Sequence, residues 1–136
     1  MPAITVSTTV NAPIDHVWEV WNNPEHITQW CFASDDWHAP KAENDLRVGG
    51  KFTTRMEAKD GSFGFEFGGM YTNINGKETI EYSMDDGRKV SIKFEDMGDS
   101  TKVTETFDAE TQNSEEMQRA GRQAILDNFK KRAEET

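Results

Sequence analysis

The feature that most limits how this chain can fold is a single long helical pattern near its C-terminal end, over residues 113–135. Apolar and small residues recur there at helical spacing and predict one continuous stripe along the helix: Met117, Ala120, Gly121, Ala124, Ile125 and Phe129. A helix of about 22 residues extends about 33 Å. Because strand patterns dominate the preceding sequence, we expect this helix to lie on a sheet and to bury its stripe there.

Two short helices are predicted near the N-terminus, after a first strand. Apolar and polar residues alternate over residues 3–10, which indicates a half-buried strand. Pro13 favours the start of a helix, and apolar residues at helical spacing follow it: Ile14, Val17, Trp18 and Trp21. Asn23 caps a second helix, whose apolar side carries Ile27, Trp30 and Cys31.

Six further strands are predicted before the long helix. Their patterns cover residues 37–43, 52–57, 63–74, 79–84, 88–95 and 101–107. Dipeptides such as Asp60-Gly61 and Asp86-Gly87 favour tight hairpins, and consecutive hairpins build an antiparallel meander. The order β-α-α-β-β-β-β-β-β-α therefore predicts one α+β domain over residues 1–136, in which a curved antiparallel sheet of about seven strands wraps around the C-terminal helix.

Composition and charge exclude several classes of function. The formal charge is −10, from 15 basic and 25 acidic residues, which disfavours nucleic acid and anionic membrane surfaces as partners. No apolar run approaches the roughly 20 residues of a membrane span, and we expect no signal peptide before the first strand. We expect a soluble, cytoplasmic monomer in which Cys31, the one cysteine, is a packed residue.

Motifs along the chain are similar to those of a known superfamily. Resemblance to the START-like (SRPBCC, Bet v 1-like) helix-grip superfamily is carried by N-A-P at 11–13, V-W at 17–18, N-P-E at 23–25 and Q-W at 29–30. Three further motifs resemble the branch of this superfamily that includes the activator of the heat-shock-protein-90 ATPase: N-D-L-R-V-G-G-K-F at 44–52, D-G-S-F-G at 60–64 and D-D-G-R-K-V at 85–90. The resemblance extends over nearly the whole chain.

That resemblance implies a hydrophobic cavity between the sheet and the long helix, which the superfamily uses for lipids, polyketides, hormones and other small apolar molecules. We therefore expect binding of a small hydrophobic molecule, with no metal and no organic cofactor. The cavity is expected to be lined by Trp37, Met56, Phe65, Phe67, Tyr82, Ile92, Phe94, Glu105, Ala120, Gly121, Ala124 and Ile125.

One position departs from the pattern of these relatives. They usually have Trp after the glycine that corresponds to Gly121, a glycine that we expect to bring the helix backbone close to the sheet, whereas this chain has Arg122. Arg122 either reaches the cavity rim and pairs with an acidic ligand group, or lies on the surface near carboxylates such as Glu66 and Glu115. In both cases Arg122→Trp is expected to stabilise the fold by roughly 1–2 kcal/mol.

Two carboxylates are candidate catalytic groups. Glu105 lies between Val103 and Phe107, so strand alternation directs it to the apolar side, whereas the direction of Glu66 stays open. An acid inside an apolar cavity has a raised pKa and can donate or accept a proton. The structural alternative is a carboxylate that reaches water or pairs with an arginine such as Arg55.

Three functions remain open on the sequence. A carrier needs an apolar cavity, a cyclase- or hydratase-like enzyme needs polar groups that converge in one, and a co-chaperone-like module needs an exposed patch for a chaperone partner. The three histidines, Cys31 and the Asp pairs at 35–36 and 85–86 match no metal-binding spacing. No nucleophile or phosphate-binding motif is present either.

Overall fold

The computed structural model describes residues 3–136, in which seven strands and three helices follow the predicted order. The strands are β1 (Ala3–Val10), β2 (Trp37–Asn44), β3 (Lys51–Ala58), β4 (Gly64–Asn75), β5 (Thr79–Met84), β6 (Lys89–Asp96) and β7 (Thr101–Asp108). The helices are α1 (Ile14–Asn22), α2 (Pro24–Ile27) and α3 (Glu115–Glu135).

All seven strands belong to one antiparallel sheet with the order β1-β7-β6-β5-β4-β3-β2. Strands β2 to β7 are joined as successive hairpins, and β1 closes the far side by pairing with β7 along its whole length. The predicted α+β helix-grip fold, a curved sheet with a long C-terminal helix, is therefore confirmed. No helix within residues 3–136 is both long enough and apolar enough to cross a bilayer.

Glycines allow β4 to pack closely against its neighbours and to bend. A Cβ added to Gly69 would lie only 2.5 Å from the carbonyl oxygen of Ser83 on β5. The pairing of β4 with β5 also shifts register between Tyr71 and Asn73. Register shifts of this kind bend a strand and increase its twist, which explains how the longest strand follows the curvature of the sheet.

Helix α3 begins where the sequence predicts, with the Ser114 side chain accepting a hydrogen bond from the Met117 N–H at 3.1 Å. Its buried face differs from the predicted one, because Met117 is 64% exposed and Ala120 is exposed. A strict spacing of four residues drifts about 40° per step around a helix of 3.6 residues per turn. Phe129 is buried as predicted, but the residues that face the protein with it are Arg122, Leu126 and Ala133.

The C-terminal half of α3 packs into an aromatic cluster. The Phe129 ring lies 4.9 Å from Trp21 and 5.0 Å from Trp30, centroid to centroid, in edge-to-face geometry. Phe94 on β6 contacts Trp21 and Trp18 in the same way. The indole N–H of Trp30 donates to the Val20 carbonyl at 2.9 Å, so its burial leaves no unpaired donor. This cluster fixes one end of α3 against α1 and the sheet.

Candidate functional site

A cavity of about 440 Å³ lies between the inner face of β3, β4 and β5 and the middle of α3. A second cavity of about 320 Å³ adjoins it toward the N-terminal end of α3. The two share the side chains of Met56, Phe65, Arg88, Arg122 and Ile125. The volume of the first cavity is within the range of small-molecule sites in proteins, about 300–1,000 Å³.

The position of α3 explains why protein side chains do not fill the two cavities. The helix makes its main contacts with β1 and α1, on the side of the sheet away from β3, β4 and β5. Phe129 is fully buried on the packed side, Leu126 is buried at the boundary of the main cavity, and Ile125 is only half-buried and faces both cavities. The central strands therefore curve around a volume that α3 does not fill.

Aromatic side chains form much of the cavity wall. Phe52 lies at its centre, with ring centroids 4.6 Å from Tyr82, 5.3 Å from Tyr71 and 5.8 Å from Phe67. These rings come from three adjacent strands and alternate with outward-facing residues. Their edge-to-face and tilted contacts fix each ring by packing against the next. The wall is consequently preformed rather than dependent on a ligand for its shape.

One ion pair crosses the cavity between helix and sheet. The Arg122 Nη1 atom donates to Glu105 Oε2 at 3.0 Å, and the two side chains are only 17% and 6% exposed. The guanidinium also lies over the Phe67 and Phe107 rings, 5.0 and 4.7 Å from their centroids. Strand alternation directs Glu105 inward between buried Val103 and Phe107, as the sequence predicts. Arg122 is its partner from the helix.

One of the two expectations for Arg122 is wrong, because its side chain is buried and pairs with Glu105 rather than lying on the surface beside Glu66 or Glu115. Arg122 does reach the cavity, as the other expectation states, but its charge there is neutralised by Glu105, and pairing with an acidic ligand group remains a prediction. Gly121 does not bring the helix close to the sheet either, since an added Cβ would meet no atom within 4 Å. The reason is the same in both cases: the helix is rotated relative to the predicted stripe.

Burial sets the protonation of the groups around the pair. It raises the pKa of Glu105, and the Arg122 guanidinium opposes this rise. Burial alone would lower the pKa of Arg122, but Glu105, Tyr82 and Cys31 together more than offset this effect and the net direction of the pKa is upward. Burial raises the pKa of the Cys31 thiol to about 12, so this cysteine is protonated at neutral pH and is a poor nucleophile.

Two tyrosines add neutral polar groups to the wall. Burial raises the pKa of both Tyr71 and Tyr82, so both hydroxyls remain protonated at neutral pH. The Tyr71 hydroxyl donates to Asn44 Oδ1 at 2.5 Å. Tyr82 is buried on the same cavity wall as Glu105 and Arg122, and the Arg122 charge opposes the rise in its pKa. The largely aromatic space therefore contains two polar groupings, Tyr71 with Asn44 and Tyr82 with Glu105 and Arg122.

Eight of the predicted lining residues border at least one of the two cavities. Those at the main cavity are Met56, Phe65, Phe67, Tyr82, Glu105 and Ile125. Trp37 and Gly121 line the second cavity. Glu66 is exposed at the mouth of the main cavity, apart from Glu105, and Arg55 pairs with Glu57 at 2.9 Å. Their roles toward a ligand remain predictions.

Four predicted lining residues border neither cavity. Ile92 and Phe94 lie on β6, where α1 packs against the sheet and fills the space. Ala120 is exposed and Ala124 is half-buried outside the lining. Ile92 and Phe94 do face the interior, as predicted, but side chains fill the interior at that point. Ala120 and Ala124 do not line a cavity because the buried face of α3 differs from the predicted stripe.

The sequence reasoning also missed residues that line the cavity. These are principally Phe52, Thr54, Tyr71 and Asn44. The choice between the two expectations for Arg122 had a signal, because Arg122 precedes Leu126 by four residues and Phe129 by seven, the spacing of a single helix face. Within residues 3–136, no three His, Cys, Asp or Glu side chains lie close enough together to share a metal ion.

Comparison with known proteins agrees with this architecture. Residues 11–134 match the family described as "Activator of Hsp90 ATPase homolog 1-like protein". The solution structure of an AHSA1-like protein from Aeromonas hydrophila is 43% identical, with a TM-score of 0.92, covering 98% of this chain and 93% of that one. A Cytophaga hutchinsonii protein is 52% identical, with a TM-score of 0.83 and coverage of 97% and 92%.

A more distant relative shares the fold alone. A Nitrosomonas europaea protein superposes with a TM-score of 0.84 at 18% identity, covering 98% of this chain and 94% of that one. No functionally curated protein matches the chain. The family match extends over almost the whole length and agrees with two solved structures above 40% identity. The chain therefore belongs to the activator of Hsp90 ATPase homolog 1-like protein family.

Proposed function

We propose that this protein binds a small, mainly hydrophobic molecule in the cavity between α3 and strands β3, β4 and β5. The observation that carries the proposal is a preformed cavity of about 440 Å³ with an aromatic wall and two polar groupings. Apolar pockets with a few convergent polar groups are the usual form of small-molecule sites. The fold family is compatible with this role and with a chaperone-related one.

The packing of the cavity wall favours the binding of an apolar ligand. Exposed aromatic surface in a cavity loses contacts that a ligand would restore, and each buried CH₂ of a ligand contributes about 0.8 kcal/mol. Phe52, Phe67 and Tyr82 are locked by mutual ring contacts, so binding costs little ordering of the wall. The cavity is open toward solvent near Glu66 and Asp85, which gives a ligand a route of entry.

A second candidate function is catalysis by Glu105. Its pKa is raised by burial, and Oε1 accepts no hydrogen bond from the residues that the structure describes. A carboxyl group in this state can transfer a proton to or from a bound molecule. Arg122, which holds Oε2, would then orient the acid. An enzyme of this kind loses turnover in Glu105→Gln even at saturating substrate, whereas a carrier shows no turnover in either form.

A chaperone-related role has one supporting feature on the surface. Trp37, Phe63 and Phe65 form a mutually contacting aromatic cluster beside the cavities, and Phe63 and Phe65 are exposed. Exposed aromatic groups of this kind often mark binding surfaces. The partner that the family description suggests is Hsp90. Stimulation of Hsp90 ATPase activity by the wild-type protein, and its loss in Phe63→Ser, would support this role.

A dye titration tests the proposed binding function. An environment-sensitive lipophilic dye is expected to bind the wild-type protein with a stoichiometry near one. In Ile125→Trp, the larger side chain occupies space that both cavities share, so dye affinity is expected to fall at least about tenfold, the factor that 1.4 kcal/mol of lost contacts gives. The matched control is Met97→Trp, an added indole on an exposed loop.

The controls separate cavity binding from surface adsorption. Equal dye affinity in wild type, Ile125→Trp and Met97→Trp would contradict the proposal, provided that both variants unfold cooperatively near the wild-type temperature. A higher dye stoichiometry in Met97→Trp alone would also identify the surface as the site. Loss of binding in the Ile125 variant, with retention in the Met97 variant, would support the cavity.

A further inference from the structure

Resting on the proposed binding function, we propose that the cavity selects an uncharged ligand whose apolar body carries a group that both donates and accepts hydrogen bonds, such as a hydroxyl. Glu105, Arg122 and Tyr82 are the residues that determine this specificity. Carboxylate-bearing molecules of the same size and shape are excluded. Three independent observations lead to this conclusion: the charge state of the pair, the hydrogen-bonding capacity that it leaves free, and the charge of the cavity mouth.

The ion pair has no net charge to offer to a ligand. Arg122 and Glu105 are 3.0 Å apart and both are largely buried, so each charge is satisfied by the other. An anionic ligand that enters beside them would lose its hydration and gain no uncompensated cation in return. A neutral ligand avoids that cost. The buried pair therefore favours an uncharged ligand over its carboxylate analogue.

The pair still has hydrogen-bonding capacity directed at the cavity. Glu105 uses only Oε2 in its bond to Arg122, and Oε1 has no partner within residues 3–136. A guanidinium has five N–H donors, of which Arg122 uses Nη1 for Glu105. The Tyr82 hydroxyl lies on the same wall. A hydroxyl group placed here can donate to the carboxylate and accept from the guanidinium or the tyrosine.

Charges at the mouth act in the same direction. Three exposed carboxylates, Glu66, Asp85 and Asp86, border the main cavity, and one guanidinium, Arg88, lies among them. Arg88 is already paired with Asp86 at 2.7 Å. The mouth is therefore acidic, on a chain whose formal charge is −10. An approaching anion meets repulsion before it reaches the buried pair.

Three probes with one shared apolar body test the selection directly. Naphthalenemethanol carries the hydroxyl, methylnaphthalene carries no polar group, and naphthoate carries a carboxylate at neutral pH. Each is titrated against the wild-type protein at the same ionic strength, by displacement of a bound lipophilic dye. Because hydrogen bonds to charged groups are the stronger ones, naphthalenemethanol is expected to bind about tenfold more tightly than either analogue.

A variant of Glu105 should reverse the preference between the alcohol and the acid. In Glu105→Gln the shape is kept but Arg122 has no neutralising partner, so naphthoate is expected to bind at least about tenfold more tightly than in wild type. The matched control is Glu81→Gln, which changes the net charge equally on β5, one residue from Tyr82. Its carboxylate bonds to Asn73 on the outer side. Naphthoate affinity should not change there.

The outcomes separate this inference from the binding function itself. If naphthoate binds wild type as tightly as naphthalenemethanol, the selection is wrong but the cavity still binds ligands. If the dye binds in the cavity but none of the three probes displaces it, the selection is contradicted while the binding function stands; if the dye itself does not bind there, the binding function is contradicted. Should Glu105→Gln fail to fold, the ranking of the probes in wild type alone decides the matter. An equal gain for naphthoate in Glu81→Gln would assign the effect to net charge and overturn the role of Glu105.

Discussion

The two halves of α3 differ in what they contact, although they belong to one continuous helix. In the C-terminal half, Leu126, Phe129 and Ala133 are buried against α1, β1 and the aromatic cluster. In the N-terminal half, Met117 and Ala120 are exposed and Gly121 faces open space. Arg122, at the junction, reaches inward to Glu105. The helix is held by one half and borders a cavity with the other.

This difference separates stability from binding within one element. The packed half buries its large side chains against α1, β1 and the aromatic cluster, whereas the cavity half leaves aromatic strand residues uncovered. A protein of this design can change its ligand specificity near Arg122 without loss of its main packing contacts. The comparison makes quantitative predictions, because substitutions in the two halves should have effects of different size and sign.

The largest effect is expected in the packed half, at Phe129. Phe129→Ala removes a ring that is fully buried and contacts Trp21 and Trp30, so the free energy of unfolding should fall by about 3–5 kcal/mol. The control in the same helix is Met117→Ala, at an exposed position, which should change it by less than about 0.5 kcal/mol. Urea denaturation of the two variants measures both values. Similar losses in both would contradict the division of the helix.

The next effect is expected at the junction, from Arg122→Trp. The family resemblance suggests that Trp stabilises this position, but the substitution leaves the Glu105 carboxylate buried without its partner. The expected loss is about 2–3 kcal/mol, below the range for a fully enclosed pair because the cavity admits water. Thermal and chemical denaturation measure it. A variant more stable than wild type would show that the pair contributes less than the buried surface of an indole.

A smaller effect, dependent on pH, is expected from Glu105. Burial raises its folded-state pKa above the unfolded value of about 4.3, against the influence of Arg122. The folded protein then binds this proton more tightly, so the resulting stability is present below the unfolded pKa and is lost as the pH rises through the folded pKa. Arg122, Tyr82 and Cys31 are the titratable groups coupled to it.

The measurement compares wild type with Glu105→Gln across this range of pH. The difference in unfolding free energy between the two proteins should decrease as the pH rises from about 4.3 toward neutrality. Glu81→Gln, on the outer side of β5, should show no such trend. A difference that grows with pH would mean that the Arg122 charge outweighs burial and that the pKa of Glu105 is lowered.

The smallest effect is a gain, expected in the cavity half at Gly121. An added Cβ at this position meets no atom within 4 Å, and Ala is favoured over Gly in a helix by about 0.8–1.0 kcal/mol. Gly121→Ala should therefore stabilise the protein by up to about 1 kcal/mol. A thermal melt provides the check. Destabilisation would show that the helix approaches the sheet at Gly121, as the sequence reasoning first suggested.

The fold could be predicted from local signals because those signals are strong. Hairpin glycines such as Gly61 and Gly87 adopt the positive φ values of 78° and 89° that tight turns require, so strand boundaries agree closely with the sequence pattern. The predicted inward direction of Glu105 is confirmed as well, because β7 pairs with both neighbouring strands without a register shift and so keeps its regular alternation. These features depend on neighbouring residues along the chain.

The site was harder to predict because it depends on how α3 is rotated. Six of its residues at helical spacing are apolar or small, so the sequence pattern is compatible with the burial of several helix faces. The predicted face includes Ala120. The Arg122–Glu105 pair joins residues 17 positions apart and has no local signature. The location of the main cavity near β4 also depends on α1, which fills the space above Phe94 on β6. Only the packed arrangement reveals which inward-facing residues remain uncovered.

The central claim is that a small uncharged molecule binds between the cavity half of α3 and the aromatic strand wall. The most direct measurement is an isotope-filtered NOE experiment on labelled protein with unlabelled naphthalenemethanol. The account predicts intermolecular NOEs from the naphthalene protons to Phe67 and Tyr82 on the sheet and to Ile125 on the helix, since all three line the main cavity. NOEs confined to exposed groups such as Val48 and Met97 would contradict it.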